Sequence, residues 1–357
     1  MAKRKIDKDL LKKGRNTFNK QKQQKQKAIE EAKLKAQQEK EKQEKKLQEE
    51  KRLEEERRQQ ELENKIEKYI LKTYRLKLTT LSPIHIGDGE MYEPISYVID
   101  KGFLYYFDEN FVLFKLLEMN GINIDINRLN EIGILVETFK KYKSKIIENE
   151  FYKNKISVSK DIESLYNKEY GSSNNDDNSF NQMLIQKHIS TYNPKNYKYE
   201  PYISGSSIKG AIQTVLNLSD EDSKYFKVSD TLSKNINFQI AWSVRKVKKG
   251  IIPQKLEVIS KGSVFECNIS FSNIIDLKTI KDKLSIFYQQ ADNKQYFNFS
   301  REIKKDNQFL LRLGRYVGQR FMGNLSETPK TKSMFRLSEK NEKSELPFGW
   351  VLCEIIS

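Results

Sequence analysis

The sequence predicts an α+β fold, and three observations carry that prediction. Segments that alternate apolar and polar residues, such as Tyr74–Leu78, read as half-buried strands. Apolar runs of helical character, such as Ala211–Leu218, lie among them. The two kinds of segment mix without the strict βαβ alternation of a parallel sheet. Beyond residue 70 about 285 residues remain, enough for one large core or two small ones.

Residues 1–70 differ in kind from the rest. They hold 23 basic and 15 acidic residues, a net +8, and subtraction leaves 42 and 34, also +8, for residues 71–357. Gln21–Lys68 contains neither Gly nor Pro. Glu41/Lys45 and Glu61/Lys65 are i,i+4 pairs, each favouring a helix by about 0.2–0.5 kcal/mol. Only Leu62, Ile66 and Ile70 keep regular helical spacing, so no sustained coiled-coil seam is expected. Residues 1–70 therefore read as a charged extension, a solvated helix disordered toward Met1. A basic arm for RNA is the sharper alternative, its field diluted by the acidic residues.

Residues 71–357 read as the folded region. After the strand from Tyr74 come strands at Ile95–Ile99 and Gly102–Phe107, a helix at Phe111–Met119, and a mostly helical stretch from Ile122 to Lys168. Gly171–Ser179, GSSNNDDNS, is expected to be a flexible polar loop. Ile236–Val247 and Leu256–Phe271 read as two longer strands around a turn at Lys248–Gly250, and Trp350–Ile356 as a terminal strand. Lys101–Phe107, KGFLYYF, approaches the RNA-recognition-motif signature. Leu104 replaces its small residue, and a hairpin strand with aromatic packing is the favoured reading.

Composition narrows the partners. With 65 Lys+Arg against 49 Asp+Glu, the formal charge is +16, which suits nucleic acid or an anionic membrane surface. No run of 18 apolar residues and no signal-peptide core occurs, so a cytoplasmic protein is expected. Cys267 and Cys353 are too few for a disulfide framework, and His85 and His188 are the only histidines. Neither a metal nor another cofactor is expected.

Several segments suit a phosphodiester backbone. In Pro201–Ala211, PYISGSSIKGA, Gly205 and Gly210 allow close backbone approach. Amides at a helix start, helped by Ser206, Ser207 and Lys209, would seat a phosphate. No Gly-Lys-Ser/Thr follows at P-loop spacing, so a free nucleotide is not indicated. The plainer reading is a helix cap made by Ser206 or Ser207. Leu81–Glu90, LSPIHIGDGE, places His85 beside a turn with Gly87 and Gly89. His85 would serve as a general base on a ribose 2′-OH, as a contact to RNA, or as a structural turn residue. The basic hairpin projects Arg245 with Lys248 and Lys249, suited to a nucleic-acid backbone or to protecting an edge strand. Leu310–Gly323 combines Gly314, Gly318 and Gly323 with Arg312, Arg315 and Arg320, and arginine suits phosphate and base stacking.

Taken in order, LSPIHIGDG, PYISGSSIKGA, the hairpin ending in Glu257-Val258-Ile259, the arginine-glycine loop and LPFGWV resemble one family. They look like the RAMP subunits of type III CRISPR effector complexes, above all the subunit capping the 3′ side of the guide RNA in the type III-A Csm complex. The resemblance runs from Tyr74 to the C-terminus. Ser204 stands where the family usually has proline, and Gln213 where an arginine often follows. The resemblance implies a ferredoxin-like, RRM-related core with insertions that binds CRISPR RNA by its backbone. It also implies a neighbouring RAMP backbone subunit and other Csm subunits as partners, with nucleases recruited for 3′-end maturation. A non-catalytic RNA-binding subunit is thus expected, with His85, Gly87, Gly89, Gly205, Ser206, Ser207, Lys209, Gly210, Arg245, Lys248, Arg312 and Arg315 at the RNA. The alternative is a metal-independent RAMP endoribonuclease using His85.

Overall fold

The computed structural model describes residues 8–169, 183–195, 198–272, 277–295, 298–317, 333–340 and 345–356. The loop expected at 171–179, and Gly318, Arg320 and Gly323 of the arginine-glycine loop, lie outside these residues. The chain divides into two compact units, residues 1–67 and 68–357. In the first, helix α1 (Lys8–Tyr69) carries the Lys/Glu/Gln-rich sequence. Its apolar positions Leu34, Leu47, Leu53 and Leu62 are all at least half exposed, as the absence of a seam requires.

The second unit is α+β, built on two large sheets and one two-stranded sheet (Ser190–Asn193 with Lys198–Pro201). The first contains β1 (Leu71–Thr80), β9 (Phe226–Val228), β10 (Leu232–Asn235), β13 (Val264–Ser272), β14 (Gln308–Arg312) and β17 (Trp350–Ile355). Its order is β10-β13-β1-β17-β14, with β9 also on β13, and every pairing is antiparallel. Helices α6 (Gly205–Leu216) and α8 (Leu277–Gln295) contribute Ile208, Ile212, Leu216, Ile280, Leu284 and Tyr288 to the core shared with Leu76, Leu78, Phe265 and Leu310. This is the ferredoxin-like element of the fold. Here β1, α6, the β9–β10 strands, β13, α8 and the β14/β17 pair follow in order, with the C-terminal strand seated beside β1.

The second sheet has the order β2-β6-β12-β11-β5-β4-β3. The strands on this path are β2 (Gly87–Tyr92), β3 (Tyr97–Asp100), β4 (Phe103–Tyr106), β5 (Asn154–Val158), β6 (Ile185–His188), β11 (Phe238–Val247) and β12 (Gly250–Ile259), and β15 (Ser333–Arg336) also pairs with β11, with β16 (Leu346–Pro347) beyond it. KGFLYYF closes a tight hairpin here rather than a base-stacking platform. Lys101 and Gly102 both have positive φ, +48° and +79°, as a two-residue primed turn between β3 and β4 demands. The run read as one strand, Leu256–Phe271, is broken at Gly262 (φ +88°) into β12 and β13, which belong to different sheets. The stretch 122–168 holds three α-helices and also strand β5, whose Ile156 and Val158 are buried. Helix α8, with buried Ile280, Leu284 and Tyr288, has no counterpart among the expected elements.

Candidate nucleic-acid interface

Four of the segments singled out in the sequence meet at one backbone knot. The Gly349 N–H donates to the Pro83 carbonyl, the Leu313 N–H to the Gly349 carbonyl and the Arg315 N–H to the His85 carbonyl, each at 2.8 Å. Approach is close enough to demand glycine. Gly314 has φ +89°, and a Cβ there would lie 2.5 Å from the His85 carbonyl oxygen. Gly349 has φ +90°, and its Cβ would lie 2.3 Å from the Leu313 carbonyl oxygen. The basic hairpin joins through Glu257, whose carbonyl oxygen is 2.7 Å from His85 Nδ1.

That contact makes Nδ1 the donor and leaves Nε2 as the lone-pair nitrogen. Nε2 is buried with no partner among the described residues, and Gly87 roofs it, since a Cβ at 87 would sit 3.1 Å away. His188 stands edge-on to His85 with ring centres 6.0 Å apart. The Glu257 carboxylate accepts from the Tyr92 hydroxyl and the His188 amide, both at 2.9 Å. Burial pushes His85 down to about 4 and His188 down to about 3. Desolvation likewise pushes Glu257 up to about 8, against the lowering effect of its two donors. At neutral pH the cluster holds two neutral imidazoles and a protonated carboxyl. His85 is fully buried, which is unlike a base that must reach a ribose hydroxyl. His188 and Glu257 were not among the expected site residues. A charged residue between Leu256 and Val258, inside an apolar strand, was the available signal for the latter.

PYISGSSIKGA forms the strand end and start of α6, connected to the knot through backbone. The Ile189 N–H donates to the Ile86 carbonyl at 2.8 Å and the Tyr202 N–H to the Ile189 carbonyl at 3.4 Å. The helix cap is Ser204, two or three residues earlier than expected, and its hydroxyl accepts from the Ser207 N–H. Its φ of −66° is one proline also adopts, and the serine side chain adds a cap. The expected phosphate seat at this helix start is partly filled from within, because the Gly205 N–H donates to Asp230 Oδ1 at 2.7 Å. Gly205 itself admits protein backbone rather than a ligand, for its Cβ would lie 2.3 Å from the Val228 carbonyl oxygen. Lys209 caps the carbonyl of Ser223 at 2.8 Å. Ser206 is exposed, and at Gly210 nothing lies within 4 Å of a would-be Cβ. One turn apart, these two form an open stripe along α6.

The arginines separate. Arg312 is turned inward against expectation. Its Nε donates to the Phe348 carbonyl at 2.9 Å, its guanidinium lies 5.4 Å from the centre of the Trp350 ring, and burial pushes it down to about 9. Arg315, three residues on, is exposed beside Tyr316 and the knot. Arg245, Lys248 and Lys249 are exposed at the far end of the β11–β12 hairpin. Eight residues of strand, about 26 Å, separate that tip from Glu257. The structure thus brings His85, Gly87 and Arg315 together, links them to α6 and leaves the hairpin tip apart. Gly89, at φ +94° with open space around it, lies in β2 near the knot. Among the described residues no cluster of His, Cys, Asp and Glu has the makings of a metal site, and no helix is long and apolar enough to cross a membrane.

A family model described as the RAMP superfamily matches residues 77–344, three quarters of the sequence. This chain belongs to the RAMP superfamily. The RAMP match takes in the knot up to the arginine-glycine loop, all of α6 and the hairpin. At 25% identity over 320 residues the chain is similar to CRISPR system Cms protein Csm5 of Methanocaldococcus jannaschii, covering 69% of this chain and 68% of that protein. Its fold is similar to a chain in the structure of a Csm–crRNA–target RNA ternary complex of a type III-A CRISPR-Cas system. The TM-score is 0.54 at 16% identity, with 79% of this chain and 100% of that chain covered. Csm5 of T. onnurineus aligns with a TM-score of 0.48 at 17% identity, covering 78% and 100%.

Proposed function

We propose that this RAMP protein is a non-catalytic CRISPR-RNA-binding subunit of a type III-A ribonucleoprotein, seated at the 3′ end of the guide. There it supports guide maturation and complex assembly in cytoplasmic antiviral defence. Its partners are the guide, a neighbouring RAMP backbone subunit, other Csm subunits and recruited nucleases. Similarity to a CRISPR Csm protein across 68% of that relative supports the partner assignment. The geometric observation that carries it is Gly210. A glycine inside a helix costs about 1 kcal/mol relative to alanine, and no described residue packs on this one. A backbone arriving from another molecule gives the bare position a use.

In this reading the guide's phosphates run along Ser206, Ser207, Lys209 and Gly210, and past Arg315 and the Gly87–Gly89 turn. Arg245 and Lys248 meet nucleic acid separately, at the hairpin tip. Gly205, His85 and Arg312 hold these surfaces in place from within. Burial of the His85 imidazole disfavours the endoribonuclease alternative.

The test is direct binding and cutting of a single-stranded, repeat-containing RNA by the full chain without metal. The expected result is binding without cleavage, and Arg315→Ala reduces the slope of log affinity against log salt by about 0.7, as for one single-strand phosphate contact. Metal-independent cleavage that disappears in His85→Ala would replace this reading with the nuclease.

A further inference from the structure

A pocket of about 480 Å³ lies beside the single pairing of β6 with β12, Leu256↔Gln186. Gln186 itself lines it, with Pro253, Gln254 and Lys255 just before Leu256 on β12. Its volume falls in the range of small-ligand sites, about 300–1,000 Å³. Met91, Leu184 and Pro253 supply apolar walls.

The polar lining has the chemistry of a heterocycle's edge. Gln186 and Gln254 each place Oε1 against the Tyr316 hydroxyl, at 2.8 and 3.0 Å. One hydroxyl proton serves one of these oxygens at a time, so the pair has unused acceptor capacity. Neither amide nitrogen donates to a described residue. A carboxamide offers a donor and an acceptor side by side, which matches the edges of unstacked bases. Lys255, buried over the Trp242 ring at 4.6 Å, adds a cation to the lining. The Trp242 indole N–H, also buried, has no hydrogen-bond partner among the described residues.

Charge decides which end of a nucleotide enters. Glu339 also lines the pocket and disfavours a phosphate there. Arg315 is exposed, with Nη1 3.5 Å from Gln186 Oε1, so a cation for the phosphate stands beside Gln186. We propose that this pocket receives one unstacked nucleobase of the bound RNA, with the attached phosphate on Arg315. The inference rests on the RNA-binding reading above and adds a base-binding subsite to it.

The experiment compares a labelled single-stranded RNA with an abasic ribose-phosphate oligomer of equal length, each titrated with the full chain. Wild type should prefer the RNA by about tenfold, the value of roughly one stacked base. Leu184→Trp, which fills the pocket, and Gln254→Ala, at an exposed position, should each reduce that preference while the abasic oligomer binds as before. Equal wild-type affinity for the two oligomers overturns the pocket and leaves RNA binding standing. Binding of neither oligomer overturns the RNA reading itself. If both variants keep the preference but lose a neighbouring protein subunit, the pocket takes a protein side chain and the proposal is wrong.

Discussion

His85 shows how a residue type misleads when burial is unknown. Histidine in a glycine turn suggests a base, but desolvation holds this ring neutral, with Nδ1–H on the Glu257 carbonyl. The cluster has a pH signature. His85 and His188 fall from an ordinary 6.5 to about 4 and about 3, so the unfolded chain binds their protons first and acid destabilises the fold below 6.5. Glu257 rises from 4.5 to about 8, so the folded chain holds its proton and stability declines as pH rises toward 8. Between roughly 5 and 6 two protons oppose one, giving a net gain of about 1.4 kcal/mol per pH unit; above 6.5 only Glu257 acts, with the opposite slope. Denaturant midpoints should therefore peak near pH 6.5 (the ordinary histidine value), and Glu257→Gln should flatten the alkaline limb. An unchanged limb in that variant would rule out Glu257 as its source. Burial decides Arg312 in the same way, since a sequence does not show which arginine of a loop turns inward. Arg312→Ala should cost about 3 kcal/mol of stability in a denaturant titration, through the unpaired Phe348 carbonyl and the lost contact with Trp350. A small stability change with a large loss of RNA affinity would return Arg312 to the interface.

At the scale of elements, α6 separates two glycines that the sequence presents alike. Gly205→Ala drives a methyl into the Val228 carbonyl and should destabilise by about 2–3 kcal/mol. Gly210→Ala meets no neighbour and should stabilise by about 1 kcal/mol while weakening RNA binding. Thermal melts paired with RNA titrations check both, and an RNA affinity raised by Gly210→Ala would remove the open stripe from the interface. Strands with clear alternation were legible, as with β1, whose Leu76 and Leu78 face the core. So was the β11–β12 hairpin, because its Lys248–Lys249 turn separates two apolar runs. The short strands β2 and β6 were not, because their glycine and lysine content hides a two-residue period and tertiary pairing holds them. The boundary between β12 and β13 depends on one Gly262 turn, which a continuous apolar pattern conceals.

For the whole molecule, the mixed class followed from patterning and the ferredoxin-like arrangement from the family resemblance, and the RAMP family model covers the region carrying them. What patterning does not reveal is convergence. Residues 83–85, 257, 313–315 and 349 meet through backbone hydrogen bonds between carbonyls and amides that carry no sequence signature. The glycines at 314 and 349 were the visible trace of that crowding. The charged helix of residues 8–69 poses the remaining choice at this scale, because its net basic charge offers nucleic acid a second, unspecific surface. Photo-crosslinking the full chain to a guide-length single-stranded RNA, with mapping of the modified peptides, separates the two surfaces. Adducts are expected in the α6 segment around Ser206–Gly210 and in the loop bearing Arg315. Adducts confined to residues 8–69 would contradict an RNA-binding groove on the RAMP fold.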